Sequence, residues 1–197
     1  DEKGLLAGIK QSRSEALMSF GNDEVYLEKC IRQPQHIEVQ ILADQHGNVV
    51  HLGTRNCSIQ RRHQKLIEMA PSGLKKPLAD HICNAAVRAA KASDYLSAGT
   101  VEFLVEPDGA FYFLEVNTRI QVEHTVTEMV TGIDLVREQL LIALGEPVSF
   151  SQDQVVERGY AIELRINAED PKNEFFASPG VVQVYQAPGG HGIRLDG

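Results

Sequence analysis

The sequence predicts an α+β protein, its strands mostly antiparallel and its helices set apart from them. Two hairpin patterns carry that prediction. Residues 36–43 alternate strictly, Ile37, Val39 and Ile41 against His36, Glu38 and Gln40, and return through a turn at 44–48 into 49–53. Residues 100–105 and 110–117 flank Asp108-Gly109, the strongest two-residue turn signal. The third observation is that the clearest helical patterns, 76–93 and 134–144, lie outside these hairpins.

In chain order, residues 4–20 place Leu5, Leu6, Ile9, Leu17 and Phe20 at helical spacing, and Gly21-Asn22-Asp23 stops that helix. Residues 25–29 read as a short strand. After the first hairpin, 55–65 (RNCSIQRRHQK) is polar and basic, and 66–69 reads as a strand. The helix over 76–93 carries Pro77 in its first turn and alanines in its body. A short helix is expected at 127–130. The helix over 134–144 has Asp134 near its start and Gly145 past its end. Residues 160–166 are a strand, 168–179 a loop, and 181–186 and 192–195 strands. The weakest join is 147–157, where a domain boundary is expected.

The chain has 197 residues, 43% of them hydrophobic, enough for a packed core. Its net charge of -8 argues against a general nucleic-acid or anionic-membrane surface. Three cysteines, Cys30, Cys57 and Cys83, lack metal-type spacing and read as reduced thiols of an intracellular protein. No apolar run approaches the ~18 residues that span a bilayer.

The most capable segment is EVNTRIQVEH, residues 115–124. Glu115, Asn117, Arg119, Gln121 and Glu123 share one parity, so a strand would put them on one face. If Asp108 and Gly109 form a two-residue turn, Glu102 falls directly opposite Glu115, with Cβ atoms ~5 Å apart. Two carboxylates so close repel unless a cation sits between them. With Asn117 they offer the oxygen donors that suit Mg²⁺ or Mn²⁺; the alternative is a solvated acidic face. A straight strand would spread Glu115 and Glu123 over ~26 Å, so the chain must bend after about Asn117 if all five act together. Arg119 could then grip an anion bidentately, and Glu123 is a candidate base.

The run QRRHQK, residues 60–65, is cationic in an acidic protein, either a solvated basic loop or a phosphate or small-anion site. Arg165 sits in an alternating strand, where an isolated arginine is usually a surface charge. There is no glycine-rich phosphate loop before a helix and no nucleophile elbow.

Together YLEKCI, HIEVQ, RNCSIQRRHQK, GTVEFL, FLEVNTRIQVEHTVTEMVTGIDLV and ELRINAEDP, in this order and at these distances, resemble the biotin carboxylase family of ATP-grasp enzymes. That family is the biotin-carboxylating part of acetyl-CoA, propionyl-CoA and pyruvate carboxylases. The resemblance covers essentially the whole chain and implies an ATP-grasp fold. It implies that bicarbonate attacks the γ-phosphate of ATP to give carboxyphosphate and ADP, and that carboxyphosphate yields the CO₂ captured by biotin. It implies roles as well. Glu28, Lys29, Cys30 and Ile31 resemble the hinge that holds adenine, His36 and His63 nucleotide contacts, and Gln60 lies beside them. Glu102, Glu115 and Asn117 resemble the Mg²⁺ or Mn²⁺ ligands. Lys65, Arg119, Gln121 and Val122 resemble the bicarbonate site, Glu123 the base that deprotonates bicarbonate, and Arg165 the group set against the ureido oxygen of biotin. Expected partners are bicarbonate, a biotin carboxyl carrier protein or domain, a carboxyltransferase and a second copy in a homodimer. No nucleic acid and no membrane is expected, and the location implied is the cytoplasm, or a mitochondrion or plastid in a eukaryote.

The resemblance divides the chain into the tail of the lid subdomain (1–30), the main ATP-grasp subdomain (31–156) and the start of the C-terminal domain (157–197). The family's N-terminal domain and glycine-rich lid would precede Asp1, so the 197 residues alone are expected to turn over ATP poorly. Thr125 stands where the family commonly has proline, and Asn56 where it commonly has aspartate. The competing readings are an ATP-grasp ligase of another family and a non-catalytic binding fragment.

Overall fold

The computed structural model describes all residues, 1–197. Its centre is a six-stranded sheet built from β1 (Gln35–Ala43), β2 (Val49–Arg61), β3 (Gln64–Ala70), β4 (Ser97–Val105), β5 (Phe111–Asn117) and β6 (Ala161–Leu164). The spatial order is β5-β4-β1-β2-β3-β6, and every neighbouring pair is antiparallel. The long helices are α1 (Glu2–Phe20) and α2 (Lys76–Ala92), the shorter ones α3 (His124–Thr131) and α4 (Leu135–Ala143). The predicted α+β architecture is the observed one.

The two parities of β1 divide the molecule. Ile37, Val39 and Ile41 face α2, where Ile82, Cys83, Ala86 and Ala90 complete a core with Val101, Phe103 and Val105. The small alanines of α2 let it lie close against the sheet. On the other face Leu42 joins Leu52, Ala98 and the α4 residues Leu135 and Ile142 in a second core. Farther along that same face come Gln40, Glu38 and His36. Glu38 and Gln40 have no exposed surface, so the sheet changes there from an apolar floor to a buried polar one. Buried polar groups persist only when paired, and the groups that pair them make the site.

Local sequence set the helix ends as expected. Asp134 caps α4 by accepting a hydrogen bond from the Arg137 amide at 2.8 Å. Asp1 caps α1, and Gly21 closes it in the left-handed conformation. No residue of α1 is buried.

Three expected strands are absent. Residues 25–29 form no strand, because no neighbouring strand takes up their backbone groups. Residues 181–186 and 192–195 form none for the same reason. The basic stretch 55–65 is the second half of β2, a tight turn and the start of β3, so the loop reading of 60–65 holds only for its central turn. Arg61 pairs with Gln64, leaving Arg62 and His63 as a two-residue turn with φ values of 52° and 64°. Such mirror-image turns match the sheet's twist and normally use Gly or Asn. Here Arg62 is anchored on Glu174 and stacks over Phe176, and Arg61 stacks over Phe175. These contacts hold the turn in a conformation that its residue types do not favour.

Candidate active site

The decisive hairpin is β4–β5. Glu106 and Ala110 close a three-residue loop in which Gly109 has φ 93°, so the expected two-residue turn is wrong by one residue. On that register alone Leu114 would face Glu102. A bulge between Glu102 and Phe103 absorbs the extra residue, and Glu102 pairs with Glu115 after all. Val101 pairs with Val116 and Thr100 with Asn117.

Glu102 is buried and fully bonded. Its Oε1 accepts from Lys65 Nζ (2.9 Å), Asn117 Nδ2 (2.8 Å) and Gln121 Nε2 (3.0 Å), and its Oε2 lies 2.6 Å from His36 Nε2. Burial pushes this carboxyl up, but the bonds from His36 and Lys65 outweigh it and hold the group well below the usual range. Glu115 is exposed, and Asn117 Nδ2 reaches it at 3.4 Å. Two carboxylates and an amide therefore converge, with the amide nitrogen turned toward both carboxylates and its oxygen toward Arg119. His36, Glu38 and Glu102 also bring ligand atoms within 4.8 Å of one another. These donor sets suit Mg²⁺ or Mn²⁺.

The chain bends after Asn117, as the span argument required. Strand β5 ends there, and α3 begins at His124. The bend turns Arg119, Gln121 and Glu123 into one cavity of about 750 Å³, which His36, Gln60, His63, Lys65, Glu102, Glu115, Asn117 and Arg165 also line. Glu123 is buried. It accepts from Lys65 Nζ at 2.8 Å and from Arg165 Nη2 at 2.7 Å. Burial raises its pKa, but Lys65, with Arg55, more than offsets that and holds it low. Lys65 itself donates to Glu38, Glu102 and Glu123. Burial works against its charge, yet Glu38 and Glu123 raise its pKa well above the usual lysine value. Arg119 is exposed, and its guanidinium bonds only the Ile120 carbonyl and Asn117 Oδ1, at 3.2 and 3.3 Å. No carboxylate pairs with it, so its charge is uncompensated and can meet an anion.

The site thus combines oxygen donors for a divalent cation with cationic groups facing the same space, the combination that phosphoryl transfer needs. Residues 1–151 match the family described as the carbamoyl-phosphate synthase L chain, ATP binding domain. The chain belongs to that family. Within it, the chain is 58% identical over 186 residues to a biotin carboxylase of Nostoc sp., a match covering 94% of this chain and 42% of that protein. It is 53% identical over 197 residues to a biotin carboxylase of Pseudomonas aeruginosa, covering 100% and 43%. The biotin carboxylase domain of Hydrogenobacter thermophilus 2-oxoglutarate carboxylase, solved as a dimer with MgADP, ADP and bicarbonate, superposes with a TM-score of 0.93. It shares 50% identity over 98% of this chain and 43% of its own. The Campylobacter jejuni biotin carboxylase–β,γ-ATP complex gives 0.92 at 46% identity, over 97% and 43%. The chain therefore spans about two fifths of the length of these biotin carboxylases. Its fold is their ATP-grasp fold.

Against that family fold, most of the expected site residues come together. Glu28, Lys29, Cys30 and Ile31 do not line the cavity. Lys29 instead donates to the Tyr112 hydroxyl at 2.6 Å and sits over its ring. In the basic run only Gln60, His63, Gln64 and Lys65 reach the cavity; Arg61 and Arg62 pair with Glu169 and Glu174.

Arg55 is a site residue that no local sequence pattern marks. It is completely buried and uses its whole donor fork: Nε to Glu38 Oε2 (3.1 Å), Nη1 to Gln40 Oε1 (2.7 Å) and Thr127 Oγ1 (3.1 Å), Nη2 to Thr100 Oγ1 (3.0 Å) and Gln121 Oε1 (2.9 Å). By taking the Gln121 oxygen it leaves that amide's nitrogen to Glu102. The alternation of polar residues in β1 was the available signal. It showed that Glu38 and Gln40 share a face, not that an arginine two strand residues from Cys57 would cross to meet them.

Proposed function

We propose that this chain forms the ATP-grasp half of a biotin carboxylase, which carboxylates carrier-linked biotin with bicarbonate and ATP. The observation that carries the reading is the bend after Asn117, which sets Arg119, Gln121 and Glu123 into the same cavity as Glu102, Glu115 and Asn117. Glu102, Glu115 and Asn117 would hold Mg²⁺, which offsets the charge of the transferring phosphoryl group when bound. His36, Gln60 and His63 face the nucleotide; residues 28–31, which stand outside the cavity, would have to close over it to supply the adenine hinge. Arg119, Gln121 and the Val122 backbone orient bicarbonate.

Glu123 takes the bicarbonate proton, and its partners decide when it can. Held by Lys65 and Arg165, it is a weak base. As these cations turn toward substrate oxygens, Glu123 loses the charges that keep its pKa low and becomes able to accept a proton. Arg165, at the cavity rim, would stabilise negative charge on the ureido oxygen of biotin. We assign residues 1–30 to the lid subdomain, 31–156 to the main ATP-grasp subdomain and 157–197 to the C-terminal domain. Partners on this reading are a biotin carboxyl carrier, a carboxyltransferase and a second copy.

The test is biotin-dependent carboxylation and bicarbonate-dependent ATP hydrolysis by the Arg119→Ala and Glu123→Gln variants of the protein. Each is expected to lose at least ~100-fold in turnover, the scale of a lost general base or oriented anion site. Carboxylation surviving both substitutions would overturn the reading.

A further inference from the structure

Beside the catalytic cavity, β3 and β6 bring two carboxylates face to face. Glu68 is the direct cross-strand partner of Glu163, and such partners have Cβ atoms ~5 Å apart. Glu68 has no exposed surface. Each carboxyl has one oxygen held by a donor. Glu68 Oε1 accepts from Arg165 Nε at 2.6 Å, and Glu163 Oε2 accepts from the Thr125 hydroxyl. Each also has one buried oxygen with no partner, Glu68 Oε2 and Glu163 Oε1. Two orphaned acceptors on opposed acids lack one thing in common, a hydrogen to share.

We propose that Glu68 and Glu163 hold a single proton between them at neutral pH and that this acid pair is the positioning device of Arg165. One proton turns an orphaned oxygen into a donor toward the other, removes the repulsion of two adjacent anions and satisfies both buried atoms. The charged and titratable groups facing the pair are Arg165, beside β6, and Glu123 and His124 at the start of α3. Burial pushes Glu68 up to about 7, with Arg165 opposing and Glu163 adding to the rise, and burial raises Glu163 as well.

The consequence falls on Arg165, which bridges Glu68 and Glu123. With both members of the pair ionised, a second negative charge beside Arg165 would pin the guanidinium in place. The shared proton removes that charge, and the guanidinium can exchange Glu123, which Lys65 also holds, for an incoming anionic oxygen. That last step rests on the proposed carboxylase function; the shared proton does not. Thr125 belongs to the device, because its hydroxyl holds one oxygen of Glu163 and leaves the other as the buried, unpartnered one.

The experiment is a pH titration of the protein carrying ¹³C-labelled glutamate carboxyls, read by NMR without substrate. One glutamate carboxyl is expected to titrate near neutrality. In Glu163→Gln that midpoint falls by at least ~1 pH unit, a tenfold change in ionisation constant, because a neutral amide can satisfy Glu68 Oε2 without a proton. In Thr125→Val, which deletes only the outer hydroxyl, the midpoint rises. All glutamates titrating below about pH 5 in the unsubstituted protein, or an unmoved neutral midpoint in both variants, would overturn the shared proton. The pH dependence of the bicarbonate KM in Thr125→Val should follow the NMR midpoint. A displaced midpoint with an unmoved KM profile would overturn the link to Arg165 while leaving the carboxylase reading to its own test.

Discussion

Lys65 and Arg55 hold the site from its centre and from beneath. Lys65 gathers Glu38, Glu102 and Glu123 at its ammonium, and Arg55 ties Glu38 back to Gln40, Thr100 and Gln121. Removing one partner of a buried pair leaves the other charged and dry, which costs more than the pair contributed. Arg55→Met is therefore expected to destabilise the protein by about 3–5 kcal/mol, read as a lowered midpoint of urea unfolding. An unchanged midpoint would mean that Lys65 alone suffices to hold Glu38. At this scale the sequence was informative about groups whose neighbours are local. Parity and the span limit singled out Glu115, Asn117, Arg119, Gln121 and Glu123 and required the bend between them. They were silent on Arg55 and Glu38, because a buried ion pair between strands is invisible until strand order and facing are known.

At the scale of elements, the β4–β5 hairpin shows how a correct pairing can follow from a wrong turn. The Asp108-Gly109 signal marked the turn, but Asp108 Oδ1 accepts from the Ala110 amide within a three-residue loop. The bulge at Leu114 then restores Glu102 to Glu115. A one-residue slip would have sent Glu102 to the wrong face, so the loop and the bulge specify the site jointly. Gly109 has φ 93°, and a Cβ there would meet only Leu78 Cδ2, at an ordinary 3.7 Å. It is needed for its backbone rather than for room. Gly109→Ala should cost about 1 kcal/mol, measured by urea unfolding. A cost near zero would show that the loop relaxes into another turn. Helix ends were legible because caps are local, as Asp134 and Gly21 show. The strand identity of 55–65 was hidden because its arginines are partnered by distant residues: Arg61 and Arg62 pair with Glu169 and Glu174 and lie on Phe175 and Phe176.

Across the whole molecule, one sheet carries two cores and a polar site, and its acids divide into two groups with opposite pH signatures. Glu102 and Glu123 have lowered pKa values in the folded state, so the stability they contribute is lost as pH falls below the ordinary carboxylate range. Glu68 is the reverse. Its folded value of about 7 lies above the ordinary 4.5, so between those values the folded state keeps a proton that the unfolded chain releases. Stability therefore falls as pH rises through that window, by an amount on the order of 3 kcal/mol at most. The unfolding midpoint is expected to be higher near pH 5 than near pH 7.5, and Glu68→Gln should flatten that slope. A slope of the same size in the variant would assign it to another group.

The sequence by itself determined the α+β class, the local caps, the alternation of β1 and the shared parity of the polar residues in 115–124, because each depends on residues within a few positions of one another. Its resemblance to the biotin carboxylases added roles that no local pattern contains. Tertiary structure alone decided that Lys65 would bind three carboxylates, that Arg55 would lie dry beneath Gln121, that residues 28–31 would stand outside the cavity and that Glu68 would oppose Glu163. These are contacts between residues far apart in the chain, and their energies depend on burial and on strand register, which exist only once the sheet has assembled.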